Sequence, residues 1–268
     1  MSIIQFAKYQ SLENDFCVIG HGLSGFRWSP RRVAAFCHRR CGIGCDGLIV
    51  LEKLGRQGVR FRLFNADGSS AEWSGNGVRC AALFLAGSKR PAKVRLLTAA
   101  GPIELSVTTH GRRRSFVSFE RPLPVVSPVV SRGRRLMPRH AVGPIPVDAG
   151  NPHWIFVVPH FDFPWTEIGL SAQKLNPGTH GINVEFVQIL NRRRIQMRIF
   201  ERGVGPTPSS GSGALAAVAA CSDQRLIDHA VRVLSPGGEQ IARIDATRGT
   251  VRLTAITHYV FSGVWKAV

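Results

Sequence analysis

One pattern occurs twice in this chain. Asn65-Ala66-Asp67-Gly68 leads to Ser74-Gly75-Asn76-Gly77 and then to a helix-like stretch, Gly77 to Ala86. Glu201-Arg202-Gly203-Val204-Gly205 leads to Ser210-Gly211-Ser212-Gly213 and then to a second such stretch, Gly213 to Cys221. In both copies a strand-like run enters a polar turn, crosses Ser-Gly-x-Gly and opens a helix of small and apolar residues. A helix apolar on most faces has to be buried. Two copies about half the chain apart predict two like-folded halves related by pseudo-twofold symmetry, with the paired turns facing one another across a cleft.

The remaining runs fit that plan. Strands are predicted at Ile3 to Lys8, Phe16 to Ile19, Gly47 to Glu52, Val59 to Asn65, Val94 to Thr98, Ile103 to Thr108 and Ser115 to Phe119, spaced near ten residues. The second half repeats them at Pro144 to Ala149, His153 to Val158, Ile182 to Ile189, Arg194 to Phe200, Val231 to Leu234, Gln240 to Asp245 and Val251 to Ala255. Arg31 to His38 reads as one further helix. The proline- and arginine-rich segment Arg121 to Pro146 reads as inter-domain, and His258 to Trp265 as a last strand returning to the first half. The expected domains are 1–118 with 258–268, and 119–257.

A chain of 268 residues with 44% hydrophobic and 19% charged residues is globular in balance. No apolar run is long enough to span a bilayer, and the first residues, Met1 to Phe6, lack the basic and apolar regions of a secretion signal. A cytoplasmic protein with no membrane partner is the expectation. Cys37, Cys41 and Cys45 recur every four residues beside His38. That spacing places them on one helix face as core, and metal sites ordinarily add a distant second pair, so no metal is expected. The net charge of +18 raises a nucleic-acid partner. The basic runs, Arg31-Arg32, Arg39-Arg40, Arg112-Arg113-Arg114, Arg134-Arg135 and Arg192-Arg193-Arg194, are short and scattered, and two triplets fall between strands where hairpin turns are solvated. A basic nucleic-acid-associated protein therefore stays only as an alternative, and a dicarboxylate would also be drawn to such a surface.

Glycine-rich turns that open a helix bring backbone N–H groups and the positive dipole end to a ligand, which makes an anion site. Two such turns could grip one carboxylate and stabilise the carbanion left when an α-proton departs. Asn65, Asn151 and Asn183 offer donors and acceptors, Arg202 a bidentate grip on a second carboxylate, Glu201 a partner for an ammonium, and His153 a group that polarises or orients.

Asn14-Asp15-Phe16, Gly42-Ile43-Gly44-Cys45-Asp46-Gly47, Phe64-Asn65-Ala66-Asp67-Gly68-Ser69, Gly75-Asn76-Gly77-Val78-Arg79-Cys80, Gly150-Asn151-Pro152-His153, Gly181-Ile182-Asn183-Val184, Glu201-Arg202-Gly203-Val204-Gly205 and Pro236-Gly237-Gly238 resemble diaminopimelate epimerase, in order over nearly the whole chain. The resemblance implies an α+β fold of two pseudo-symmetric domains, each a curled mixed sheet around a central helix, with the substrate in a cleft between them. It implies inversion of an α-carbon of LL- or meso-diaminopimelate, a lysine and peptidoglycan precursor, without any cofactor, and it leaves a homodimer open. By resemblance, Asn14, Asn65, Asn151, Asn183 and Arg202 bind the distal end of the substrate. The backbones of Gly75, Asn76, Gly211 and Ser212 hold the proximal carboxylate, and His153 and Glu201 support the reacting centre.

The family's two catalytic cysteines fall on Ser74 and Ser210, and its usual glutamate after the Gly-Val-Gly run falls on Pro206. A thiol has a pKa of about 8.5 and is readily lowered. A hydroxyl lies several units higher and needs a partner base. Three readings follow: an epimerase whose serines are activated by His153, Glu201 or another group; a relative that runs a different proton transfer; or a homologue that binds without turnover.

Overall fold

The computed structural model describes residues 2–20, 26–55, 58–111, 113–129, 133–137, 139–175 and 181–267. The chain divides into two compact units, Met1–Phe119 with Ala255–Val268, and Glu120–Thr254.

In the first unit, β1 (Ser2–Ser11), β2 (Asn14–Ile19), α1 (Pro30–Cys37), β3 (Gly47–Lys53), β4 (Val59–Asn65), β5 (Ser70–Ala71), α2 (Gly75–Ala86), β6 (Ala92–Thr98), β7 (Gly101–Thr109) and β8 (Arg114–Pro122) follow in order. Strand β1 runs antiparallel to β2, β2 parallel to β3, β3 antiparallel to β4, β4 parallel to β6, and β6 antiparallel to β7. The last strand, β17 (Thr250–Ala267), pairs with both β1 and β8 and closes this sheet. Helix α2 packs against β1, β2, β3, β4, β6 and β7. Its residues Val78, Cys80, Ala81 and Ala82 are fully buried, which is why its apolar character runs round all faces.

The second unit repeats this order. It comprises β9 (Val125–Val126), β10 (Val142–Asp148), β11 (Pro152–Val157), α3 (Trp165–Lys174), β12 (Asn183–Asn191), β13 (Arg194–Glu201), β14 (Gly205–Thr207), α4 (Gly211–Asp223), β15 (Ala230–Ser235) and β16 (Gly238–Asp245). From β10 to β16 the pairing again runs antiparallel, parallel, antiparallel, parallel, antiparallel. Helix α4 lies on β9, β10, β11, β12 and β16. A stacked pair, Phe156 and Phe186 with ring centroids 5.3 Å apart, fills the layer between β11, β12 and α3.

Several sequence expectations change. Helices α2 and α4 begin two residues earlier than predicted, because the serines are N-caps and the glycines form the first turn. Helix α3 was not expected. It occupies in unit two the place α1 takes in unit one, and no side-chain cap marks its start at Pro164. The two final strands are one strand, since the in-out alternation continues through the fully buried Thr257. Cys37 ends α1, so Cys41 and Cys45 share no helix face with it. Cys41 is exposed, while the Cys45 and Cys37 sulfurs lie 3.5 Å apart in the core. Among the described residues no cluster of His, Cys, Asp or Glu could hold a metal ion, and no helix is long and apolar enough to cross a membrane. Part of the segment Arg121 to Pro146 is built into unit two through the β9–β10 pair; positions 130–132 and 138 lie outside the described residues, as does Arg112. Arg192, Arg193 and Arg194 are exposed at the β12–β13 hairpin, as expected of a solvated turn, and the first two pair with Asp228 at the surface.

Candidate active site

In unit one the site grows from the cap of α2. Ser74 is extended, with φ −141° and ψ 130°, and its Oγ accepts from the Gly77 amide at 3.1 Å. Behind it, Asn76 is buried. Its Nδ2 donates to Asn14 Oδ1 at 3.3 Å, and its Oδ1 accepts from Arg79 Nη1 at 2.9 Å. Arg79 is fully buried, with its guanidinium 5.0 Å from the Phe119 ring centroid, and burial pulls its pKa down to about 9. Asn14 in turn donates to Asp46 Oδ2 at 2.8 Å, and Asp46 is tied to Arg39 at 2.6 Å. Asn14 and Asn76 are therefore held from behind by a continuous polar chain. Asn65 closes β4 and donates from Nδ2 to Ser69 Oγ at 3.0 Å, inside the turn that Gly68 makes at φ +88°.

Unit two repeats the cap almost to the degree. Ser210 has φ −141° and ψ 132°, and its Oγ accepts from the Gly213 amide at 3.0 Å. Gln240 Nε2 donates to the Ser210 carbonyl at 3.3 Å, and Ser212 Oγ lies 3.4 Å from Ser210 Oγ. At the start of β11 the buried His153 ring is bracketed on both sides. Its Nδ1 lies 2.8 Å from Glu185 Oε1, and its Nε2 lies 2.9 Å from Asn151 Oδ1. Asn183 opens β12; its Nδ2 donates to the Pro152 carbonyl at 3.2 Å and its Oδ1 accepts from the Arg202 amide at 3.0 Å. Glu201 ends β13 with its carboxyl pKa raised, first by burial and then by the nearby Glu185 charge.

Contacts tie Asn14 to the Ser74-Gly75-Asn76 cap in the first unit; in the second they tie Asn151 to His153 and Asn183 to Arg202, with Glu201 near His153. In each, the first helical turn offers amides that the helix itself does not use, aimed with the dipole at the space before the cap. Sequence reasoning missed Arg79, Glu185 and Asp46. Arg79 and Glu185 did leave a signal, as single charges inside apolar runs, Val78-Arg79-Cys80-Ala81 and Val184-Glu185-Phe186-Val187. A charge survives in such a run only when it has a polar task.

Solved structures share this duplicated fold. A predicted epimerase from Pseudomonas aeruginosa shares it with a TM-score of 0.75 at 14% identity, covering 99% of this chain and 100% of that one. A phenazine biosynthesis protein of the PhzF family from Bacillus anthracis shares it with a TM-score of 0.71 at 14% identity over 100% of both chains. A hydroxyproline epimerase from Agrobacterium vitis follows at a TM-score of 0.66 and 15% identity, covering 98% and 92%. At these identities the likeness shows the fold alone. Sequence relatives narrow it. The chain is 33% identical over 269 residues to diaminopimelate epimerase of Nitrosomonas europaea, covering 97% of this chain and 98% of the relative. It is 35% identical over 250 residues to the Azoarcus sp. (strain BH72) enzyme of that name, covering 88% and 89%. The family described as diaminopimelate epimerase matches residues 6–121 and 145–257. The chain belongs to the diaminopimelate epimerase family, within the amino-acid epimerase class of isomerases.

Proposed function

We propose that this chain epimerises diaminopimelate at an α-carbon, in the cytoplasm, with no cofactor. The observation that carries the reading is the repeated cap: Ser74 and Ser210 share one backbone conformation and one hydrogen bond, each at the head of a buried helix. The helix N-termini would hold the α-carboxylate through the amides of Gly75, Asn76, Gly211 and Ser212. The same field lowers the energy of the carbanion formed when the Cα–H bond breaks and its electron pair spreads into the carboxylate. One serine end would receive the α-proton and the other would return a proton to the opposite face. Asn14, Asn65, Asn151, Asn183 and Arg202 would read the distal amino-acid end.

A hydroxyl is a weak base unaided, so the serines need help. In unit two His153 and Glu201 are the titratable groups that support it. The competing reading, a homologue that binds without turnover, draws on the fact that each serine Oγ already serves as a helix-cap acceptor. Calorimetry with LL-diaminopimelate, with lysine as control, combined with chiral chromatography of the incubated mixture, separates the two. Binding with conversion to the meso form supports the epimerase. Binding without conversion supports the alternative, and absence of binding sinks the ligand assignment.

A further inference from the structure

Resting on that reading, we propose that Glu185 is the positioning residue of His153: its buried carboxylate fixes the imidazole proton on Nδ1 and so makes Nε2, at the Asn151 contact, the atom that gains and loses a proton.

Glu185 is the third residue of β12, in register with Ile155 of β11 and Ile199 of β13. Its side chain and that of His153 are both 0% exposed. A carboxylate can only accept, so with Oε1 at 2.8 Å the Nδ1 position must carry the hydrogen. The proton that can come and go is then the one on Nε2, which donates to Asn151 Oδ1 at 2.9 Å and, once lost, leaves a lone pair that the Asn151 amide meets by turning its Nδ2 to the ring. Protonated at both nitrogens, the ring would donate to Glu185 on one side and to Asn151 on the other. The ring is thus a bridge from the interior of the sheet to the half-buried Asn151 at its edge. A carboxylate behind an imidazole orients it and stabilises the imidazolium, whatever the fold around it.

A second, independent observation joins the pair to the serine cap. A Cβ added at Gly213 would lie 2.6 Å from Glu185 Oε1 and 3.1 Å from Ser210 Oγ. The carboxylate therefore presses against the first turn of α4 beside the serine, and glycine is the residue that leaves it room. The first turn of α4 carries no acidic residue, and Glu201 at the end of β13 interacts with both members of the pair and with Arg202 beside it. Glu185 Oε2 is buried with no hydrogen-bond partner among the described residues. Burying a carboxylate with one oxygen unserved is costly, so packing alone would favour an apolar side chain here.

The test uses the full chain labelled with 15N-histidine. Wild type should show a downfield imidazole N–H resonance, assigned through its loss in His153→Gln. Glu185→Gln should move it upfield or abolish it, and Glu185→Asp should keep a carboxylate and preserve it in part. Gly213→Ala should also move it by pushing the carboxylate aside, which keeps the test open if Glu185→Gln does not fold. In α-proton exchange, Glu185→Gln should lower kcat by about 100-fold and shift the pH–rate profile, with KM for diaminopimelate within about threefold of wild type. An unchanged resonance and an unchanged pH profile in Glu185→Gln would overturn the proposal. If wild type shows no exchange whatever, the proposed activity fails, and the resonance still decides the role of Glu185.

Discussion

Replacing both cap serines with cysteine, Ser74→Cys with Ser210→Cys, separates grip from chemistry. Each Oγ accepts an amide hydrogen bond, at 3.1 Å and 3.0 Å, and so caps its helix. Loss of such a cap costs about 1 kcal/mol. Sulfur is a weak acceptor, so the double variant should lose about 2 kcal/mol. At roughly 2–4 °C per kcal/mol for chains near this size, its melting temperature should fall by about 4–8 °C. Chemistry should move the other way. A thiol with pKa about 8.5 is about 3% ionised at pH 7 before any help, and a helix N-terminus lowers that pKa further. A serine hydroxyl lies several units higher, and each unit recovered is worth up to about tenfold in rate. The double variant should therefore exchange the α-proton of diaminopimelate about 1,000-fold faster or more. Proton NMR in deuterium oxide gives the rate, circular dichroism the melting curve, and thiol titration confirms that both cysteines are free. Accessible thiols with no gain in exchange would refute the reasoning, because the serines would then not occupy the proton-transfer positions.

Ser210→Ala removes one cap and should lower stability by about 1 kcal/mol, seen as a lower urea midpoint at constant m; an unchanged midpoint would contradict the capping role. Gly68 holds φ +88°, and a Cβ there would lie 2.3 Å from the Pro30 carbonyl oxygen. Gly68→Ala should therefore destabilise unit one by about 3 kcal/mol through backbone strain and overpacking, and a wild-type melting temperature would show that the turn relaxes. Glu201 has a raised pKa in the folded chain. Between the unfolded and folded pKa values the native state binds more protons than the unfolded one. Its contribution is present in full below the unfolded value and is lost as pH rises through the folded value. Glu201→Gln should thus flatten the fall in stability with rising pH across that window, measured by melting curves from about pH 4 to about pH 8; parallel curves for both proteins would count against it.

Much of the fold was legible because its signals are local. Strand runs alternate, and the two Ser-Gly-x-Gly caps announce their helices. What escaped notice depended on partners distant in sequence. Helix α3 has no side-chain cap and a mixed surface, and only the repeat of unit one in unit two could have predicted it. The final strand was read as two because Thr257, a polar residue, is buried against Ser11 of β1, 246 positions away. In the site, the motif residues fall where the turns place them. Asp46 is recognised by what it touches, Asn14, and Glu185, though its lone charge stands out in an apolar run, has a partner, His153, that no spacing reveals. The burial of Glu201 beside Glu185, which raises its carboxyl pKa, likewise depends on contacts between separate strands.

The most direct test of the central claim is to incubate the wild-type protein with LL-diaminopimelate in deuterium oxide and follow the α-proton signal by NMR. If the two serine-capped turns form a working epimerase, the α-proton is replaced by deuterium and the meso isomer accumulates. If the signal persists at full intensity while calorimetry shows the ligand bound, the turns grip a substrate they do not turn over.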